Sequence, residues 1–123
     1  MKFFRCDHCG NFVGMIKDSG VPMMCCGQKM TEVVAGTTDA AVEKHVPVVT
    51  VGGSSVKVVI GSVEHPMVEE HYIEWVAIET EKGVQRKVLK AGNMPKVEFA
   101  LTADDKFIAA YAYCNLHGLW KSE

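Results

Sequence analysis

Cys114 and His117 stand three residues apart just after an apolar run, so one backbone turn can present a thiolate and an imidazole to a single metal. Three further histidines, His45, His65 and His71, lie far upstream. For all five side chains to meet, four separated stretches of chain must converge, and that requirement restricts the fold more than any other feature. The donor count is unusual too. Structural zinc is satisfied by four ligands and hard cations prefer oxygen, whereas imidazole with thiolate suits iron or copper and leaves one octahedral position open.

Residues 37–123 have the pattern to bring these groups together. Val46–Val51, Val56–Ile60, Tyr72–Ile78, Val84–Leu89, Val97–Leu101 and Phe107–Tyr113 are short β-branched or aromatic runs, separated by turn residues such as Gly52-Gly53 and Glu81-Lys82-Gly83. Six or seven strands with hardly a helical period predict an antiparallel β-sandwich of immunoglobulin-like size. Lys57 between Val56 and Val58, and Glu74 between Ile73 and Trp75, place one wet face on each strand. The histidines then fall at strand ends and in loops, with His117 after the last strand. Loops gathered at one end of a sandwich can aim side chains at a common point. Trp75, Trp120, Tyr111 and Tyr113 are expected to serve as packing.

Residues 1–36 read as a separate small module. Cys6-x2-Cys9 is followed by the adjacent pair Cys25-Cys26, with Gly10 and Gly27 behind each pair for tight turns. Two cysteine pairs at this spacing predict a tetrahedral four-sulfur site, which both zinc and iron accept. The adjacency of Cys25 and Cys26 departs from a zinc ribbon and must distort the sulfur–metal–sulfur angles; a vicinal disulfide or a structural zinc are the alternatives. So short a segment cannot bury a self-sufficient core, so metal binding is expected to hold it folded. Met15, Ile16, Met23, Met24 and Met30 are its expected packing, and His8 a solvent-facing turn residue.

Charge adds exclusions. With 13 basic and 15 acidic residues mixed along the chain, net charge −2, there is no basic field for nucleic acid. No apolar stretch approaches the ~20 residues that span a bilayer, and Met1 to Arg5 reach Cys6 before a signal peptide's apolar region could form. A cytoplasmic protein is expected. There five cysteines serve more often as metal ligands than as disulfides.

From Phe4 to the end the residues resemble desulfoferrodoxin, the two-iron superoxide reductase family. The motifs are Cys6-x2-Cys9 with Cys25-Cys26; Glu43-Lys44-His45-Val46-Pro47; His65-Pro66-Met67 with His71 and Glu74-Trp75; and Cys114-Asn115-Leu116-His117-Gly118. The resemblance implies a mostly β chain: a rubredoxin- or desulforedoxin-like metal-bound domain over 1–36, then a neelaredoxin-like β-sandwich over 37–123. It implies two irons, one on Cys6, Cys9, Cys25 and Cys26, the other with His45, His65, His71 and His117 equatorial and Cys114 axial. It further implies reduction of superoxide to hydrogen peroxide without dioxygen, electrons from rubredoxin or a similar donor, and a homodimer. Glu43 is implied as a sixth ligand to the resting ferric state and Lys44 as a residue beside the open position; Glu69 and Glu70 are competing carboxylates. Backbone N–H groups of Leu116 or His117 are expected to hydrogen-bond the Cys114 sulfur and moderate its electron donation. A rubredoxin-like electron-transfer protein whose second site only anchors the fold, and a zinc-stabilised interaction module, are the competing readings.

Overall fold

The computed structural model describes all residues, 1–123, and divides into two compact units, Met1–Val34 and Ala35–Glu123. No helix is long and apolar enough to cross a membrane.

In the first unit, β1 (Lys2–Arg5) pairs antiparallel with β2 (Phe12–Met15) and, on its other edge, with β5 (Thr31–Val33). Between them β3 (Met24–Cys25) and β4 (Gln28–Lys29) form a minimal hairpin. The interior is very small: Phe3, Cys6 and Met30 are its buried residues. Of the five apolar side chains expected to pack this module, only Met30 is buried; Met15 is half-buried and Ile16, Met23 and Met24 are exposed. The reason is geometric. A three-stranded sheet this short shelters one central side chain, and Phe3 on the middle strand takes that place.

The second unit is an antiparallel sandwich of two sheets. One contains β6 (Pro47–Gly52), β7 (Ser55–Ile60) and β10 (Lys96–Ala100), in the order β10-β7-β6. The other contains β8 (Ile73–Thr80), β9 (Gly83–Val88), β11 (Phe107–Cys114) and β12 (Gly118–Ser122), in the order β12-β11-β8-β9. β7 alternates cleanly, Val56, Val58 and Ile60 inward and Lys57 and Val59 outward. β8 does not, because its buried core residues run Ile73, Val76, Ile78. A register irregularity against β11, where Tyr113 pairs with Trp75 but Cys114 with Ile73, leaves Glu74 as the extra residue and shifts the parity. The expected alternation of Glu74 with Ile73 and Trp75 therefore fails. The bulge lets Ile73 face inward alongside Ala110, Ala112 and Cys114, so the inward stripe of β11 ends on the sulfur.

Two short elements were not expected from the sequence. Val42–His45 forms a single helical turn, α1, and Gly118–Ser122 adds the edge strand β12. At the other side of the sandwich, β9 side chains cover the edge strand β10: Gln85 Nε2 donates to Ala100 O at 2.9 Å and Lys87 Nζ donates to Glu98 O. These bonds occupy carbonyls that an exposed edge would offer to another strand.

Candidate metal centres

In the first unit, Cys26 and Gly27 link β3 to β4 with φ of 53° and 71°. Positive φ at both central residues of a two-residue hairpin is the type I′ turn, where asparagine or glycine is the ordinary choice. Cys26 is the one non-glycine residue of the chain with positive φ. That strain, of order 1 kcal/mol or more, turns two adjacent cysteines towards the same point. The four sulfurs of Cys6, Cys9, Cys25 and Cys26 all lie within 4.8 Å of one another, with Cys9–Cys25 at 3.6 Å and Cys25–Cys26 at 3.9 Å. A tetrahedron with ~2.3 Å metal–sulfur bonds has edges of ~3.8 Å. All five cysteines of the chain are free thiols, so no vicinal disulfide forms.

The titration of the cluster fits the same role. The Cys9 backbone N–H, 3.4 Å from the Cys6 sulfur, leads in lowering that thiol to about 6. Cys26, facing Cys9 and Cys6, is pushed up to about 12. One thiolate forms readily and the last is strongly opposed, a conflict that a shared cation removes. Asn11 serves two sulfurs, its backbone N–H reaching Cys9 Sγ at 3.4 Å and its Nδ2 reaching Cys25 Sγ at 3.6 Å. These donors stabilise negative charge on sulfur, which is greatest in the reduced state. Asn11→Ala is expected to lower the reduction potential of iron bound here, by potentiometry at the visible band of the site; an unchanged potential would remove the side-chain bond from the account.

In the second unit four rings form a closed circuit. Neighbouring centroids are 4.7 Å apart for His45–His65, 4.6 Å for His65–His71, and 4.9 Å for both His71–His117 and His117–His45. Each adjacent pair meets nearly edge to face, at 77–89°. Nitrogen positions show what the circuit is for. His45 Nδ1 lies 2.7 Å from Ala41 O and His65 Nδ1 lies 2.7 Å from Pro66 O. A carbonyl only accepts, so both Nδ1 atoms carry the proton and both Nε2 atoms are bare lone pairs. Yet His45 Nε2 is 3.1 Å from His65 Nε2, and 3.1 Å from His117 Nδ1. Two lone pairs do not face each other at that distance without a cation, and nitrogens ~2.0–2.1 Å from one ion and at right angles are ~3 Å apart. His71 Nε2 is buried with no hydrogen-bond partner, a further orphan that a metal satisfies.

Cys114 completes the set. Its sulfur and the nitrogens of His45, His65 and His71 lie within 4.8 Å of one another, and it is 3.9 Å from His117 Nδ1. Burial pushes its thiol up, while the backbone N–H groups of Leu116 and His117 hydrogen-bond the sulfur and pull it down, and Glu74 adds an upward push. Both expected donors are thus in place. The three residues Asn115 to His117 close the β11–β12 hairpin, and Gly118 follows at φ 77°, so Cys114 and His117 share one tight turn. The sulfur is fully buried, His45 and His65 nearly so, and His71 and His117 are partly buried, so solvent reaches the site on the side of these two rings.

Glu43 and Lys44 sit on α1 directly before His45, both exposed. Lys44 charge lowers the pKa of His45 and His71, and Glu43 raises that of His45, so both act on the site electrostatically. Sequence reasoning missed three supporting residues. Trp120 stacks on His45 at 5.0 Å and donates from Nε1 to His117 O at 3.0 Å, so it packs on one of the four rings and holds the backbone that carries another. Gly61 lies against the carbonyls of Glu43 and Lys44. Asn115 bonds the chain on both sides of His71. Only Asn115 carried a sequence signal, its place between Cys114 and His117.

Desolvation lowers the pKa of His45, of His65 to about 4, and of His71. Each folded value lies below the ordinary 6.5, so as pH falls the unfolded chain takes up protons first. The contribution of these rings to the stability of the metal-free second unit is therefore full above pH 6.5 and shrinks as pH falls, for His65 down to about 4. Urea midpoints of metal-free protein are expected to fall steadily from pH 7 to 4.5; a flat profile would mean these rings are not buried together.

The family model for desulfoferrodoxin matches residues 37–123. A desulfoferrodoxin homolog from Archaeoglobus fulgidus is 46% identical over 99% of this chain and 96% of its own length. Desulfoferrodoxin from Nitratidesulfovibrio vulgaris is 43% identical over 99% and 95%. The crystal structure of the superoxide reductase from Treponema pallidum, 48% identical, superposes with a TM-score of 0.83 over 99% of this chain and 98% of that one. With two sulfur and imidazole clusters in place on a sandwich and a small cysteine unit, this chain belongs to the desulfoferrodoxin family.

Proposed function

We propose that the chain reduces superoxide to hydrogen peroxide at the centre made by His45, His65, His71, His117 and Cys114, consuming one electron and two protons per superoxide. The observation that carries this is the pair of bare Nε2 atoms on His45 and His65, 3.1 Å apart, within a circuit of imidazoles beside a buried thiol. The likeness to a superoxide reductase over nearly the whole chain supports it. Iron, when bound here, supplies the electron by passing from ferrous to ferric.

The chain's own residues set the conditions. Four neutral imidazoles and one thiolate contribute a single negative charge, which leaves a ferrous site at about +1 and attractive to an anion. Lys44 adds a mobile positive charge on the solvent side. It draws the anion in, and its ammonium donors hold the water from which protons reach the product. The N–H groups of Leu116 and His117 spread the charge of the Cys114 sulfur and limit how strongly it donates. Glu43, one residue before Lys44, is the carboxylate proposed to close the site in its oxidised state.

Residues 1–36 are proposed as a desulforedoxin-like module holding a second iron on Cys6, Cys9, Cys25 and Cys26, and 37–123 as the reductase domain. A small one-electron donor of the rubredoxin type, a cytoplasmic setting and a homodimer complete the proposal.

The test is rapid anaerobic mixing of iron-loaded protein with superoxide. Oxidation of the second centre with peroxide and no dioxygen is the expected result. Release of both peroxide and dioxygen would make the protein a dismutase, and oxidation confined to the four-sulfur centre would make it an electron carrier. Lys44→Ala is expected to slow the second-order step about tenfold at low salt and flatten its salt dependence; an unaltered low-salt rate would remove Lys44 from steering.

A further inference from the structure

The ligand rings of the second centre are not held equally. His45 and His65 are each fixed through the ring, by Nδ1–H bonds to Ala41 O and Pro66 O. His117 is fixed by its place in a three-residue hairpin loop and by Trp120 on its carbonyl. No hydrogen bond steadies the ring of His71, whose Nε2 is unpartnered. Its backbone pairs locally with Val68, N to O at 3.0 Å in both directions, but Val68 is itself exposed in the connection from β7 to β8.

This stretch is tied to the turn that follows Cys114 by one backbone bond and by two bonds from a single side chain. Asn115 Oδ1 accepts from Tyr72 N at 2.9 Å, and Asn115 Nδ2 donates to Glu70 O at 3.1 Å. The Asn115 backbone N–H donates to Tyr72 O at 3.2 Å. The side-chain amide thus grips the chain on either side of His71. Asn115 also follows Cys114 and precedes His117 by two residues, so any movement of its turn is shared by two other ligands.

We propose that Asn115 is the positioning residue for His71, locking the most weakly tethered ring of the centre to the turn that carries Cys114 and His117. The inference rests on the reading of these five side chains as one metal site, and not on what that site reduces. Loss of the clamp frees His71 first, because the other three rings keep their own anchors. An amide is required. A carboxylate at this position keeps an acceptor for Tyr72 N but sets a second oxygen against Glu70 O, where the donor was.

The experiment uses the full chain with Asn115→Ala and Asn115→Asp, loaded with iron for affinity and with zinc for NMR. Competition with a chelator is expected to show iron at the second centre held 10- to 100-fold more weakly in Asn115→Ala. The visible band of the four-sulfur unit should not change. In the zinc form, the His71 ring signals should broaden or shift while those of His45 and His65 stay in place. Asn115→Asp should show the same pattern at smaller amplitude, and it serves in place of the alanine variant should that one not fold. Wild-type affinity in both variants, or disturbance spread evenly over all four rings, would overturn the proposal. Failure of the wild-type second centre to bind iron at all would instead overturn the metal-site reading beneath it.

Discussion

Cys114→Ser is expected to abolish the reaction with superoxide while leaving the visible spectrum of the four-sulfur unit unchanged. Cys114 is fully buried, and burial already pushes its thiol up despite two backbone N–H donors. A thiol still ionises when a cation displaces its proton, because sulfur is soft and its charge diffuse. A serine hydroxyl in the same place stays protonated and offers a neutral, hard oxygen on a shorter bond. The centre then loses both its negative charge and its soft donor, the property that eases oxidation of ferrous iron. Fold and histidine circuit should survive, since the Leu116 and His117 N–H groups find an acceptor in the hydroxyl oxygen and the side chain is nearly isosteric. Losing a ligand outright is expected to weaken iron at this centre by at least about 100-fold, the upper end of what losing an outer-shell partner costs. Chelator competition gives the affinity and pulse mixing with superoxide the rate. A rate within twofold of wild type would show that the sulfur is not part of the reacting centre.

Most of the sandwich was legible because strand alternation and turn residues are local signals: β7 alternates as its sequence does, and Gly52-Gly53 and Glu81-Lys82-Gly83 mark the β6–β7 and β8–β9 turns, with Gly52 ending β6 and Gly83 opening β9. The five side chains around the second centre were legible for another reason. Imidazoles and a thiol in one pattern have few alternative uses. What the sequence hid is set by tertiary context. Glu74 reads as an ordinary outward residue, and only the pairing of Cys114 with Ile73 makes it a bulge. Val42–His45 is too short to show a helical period, and its turn is closed by Val46 N to Val42 O and by the His45 ring on Ala41 O. The carbonyls of Ala41 and Pro66 decide which nitrogen of each ring is bare, and a backbone carbonyl leaves no trace in the sequence. In the small unit the apolar count misled, because Ile16, Met23 and Met24 have no interior to enter. That Cys26 joins the four-sulfur cluster was readable, but the I′ turn that makes adjacent cysteines workable appears only in its φ.

Gly61→Ala should be the most destabilising single-methyl change in the second unit. Gly61 is buried at φ 83°, where an L side chain costs about 1–2 kcal/mol before any contact is considered. A Cβ there would overlap Val63 O and lie 2.7 Å from Lys44 O and 2.8 Å from Glu43 O. All three are backbone atoms, which cannot swing aside as a side chain would, so overpacking adds about 1–3 kcal/mol. One of these carbonyls, that of Glu43, is already engaged. Glu43 O accepts from Val63 N at 2.9 Å and from Ser62 Oγ at 3.3 Å, and Gly61 N donates to Val46 O at 3.2 Å. Residues 61–63 are thus stitched to 43–46, and forcing them apart shifts α1 together with the His45 ring that it carries. A total cost of about 3 kcal/mol corresponds to a fall in melting temperature of roughly 10–20 °C for a domain of this size. Thermal unfolding of metal-free protein measures the first effect, and chelator competition at the second centre the accompanying loss of iron. Gly53→Ala is the control: its φ is 59°, but nothing lies within 4 Å of the added methyl, so it should cost only the backbone penalty. Equal losses from the two substitutions would mean that α1 does not rest on Gly61, and that Glu43, Lys44 and His45 are positioned by something else.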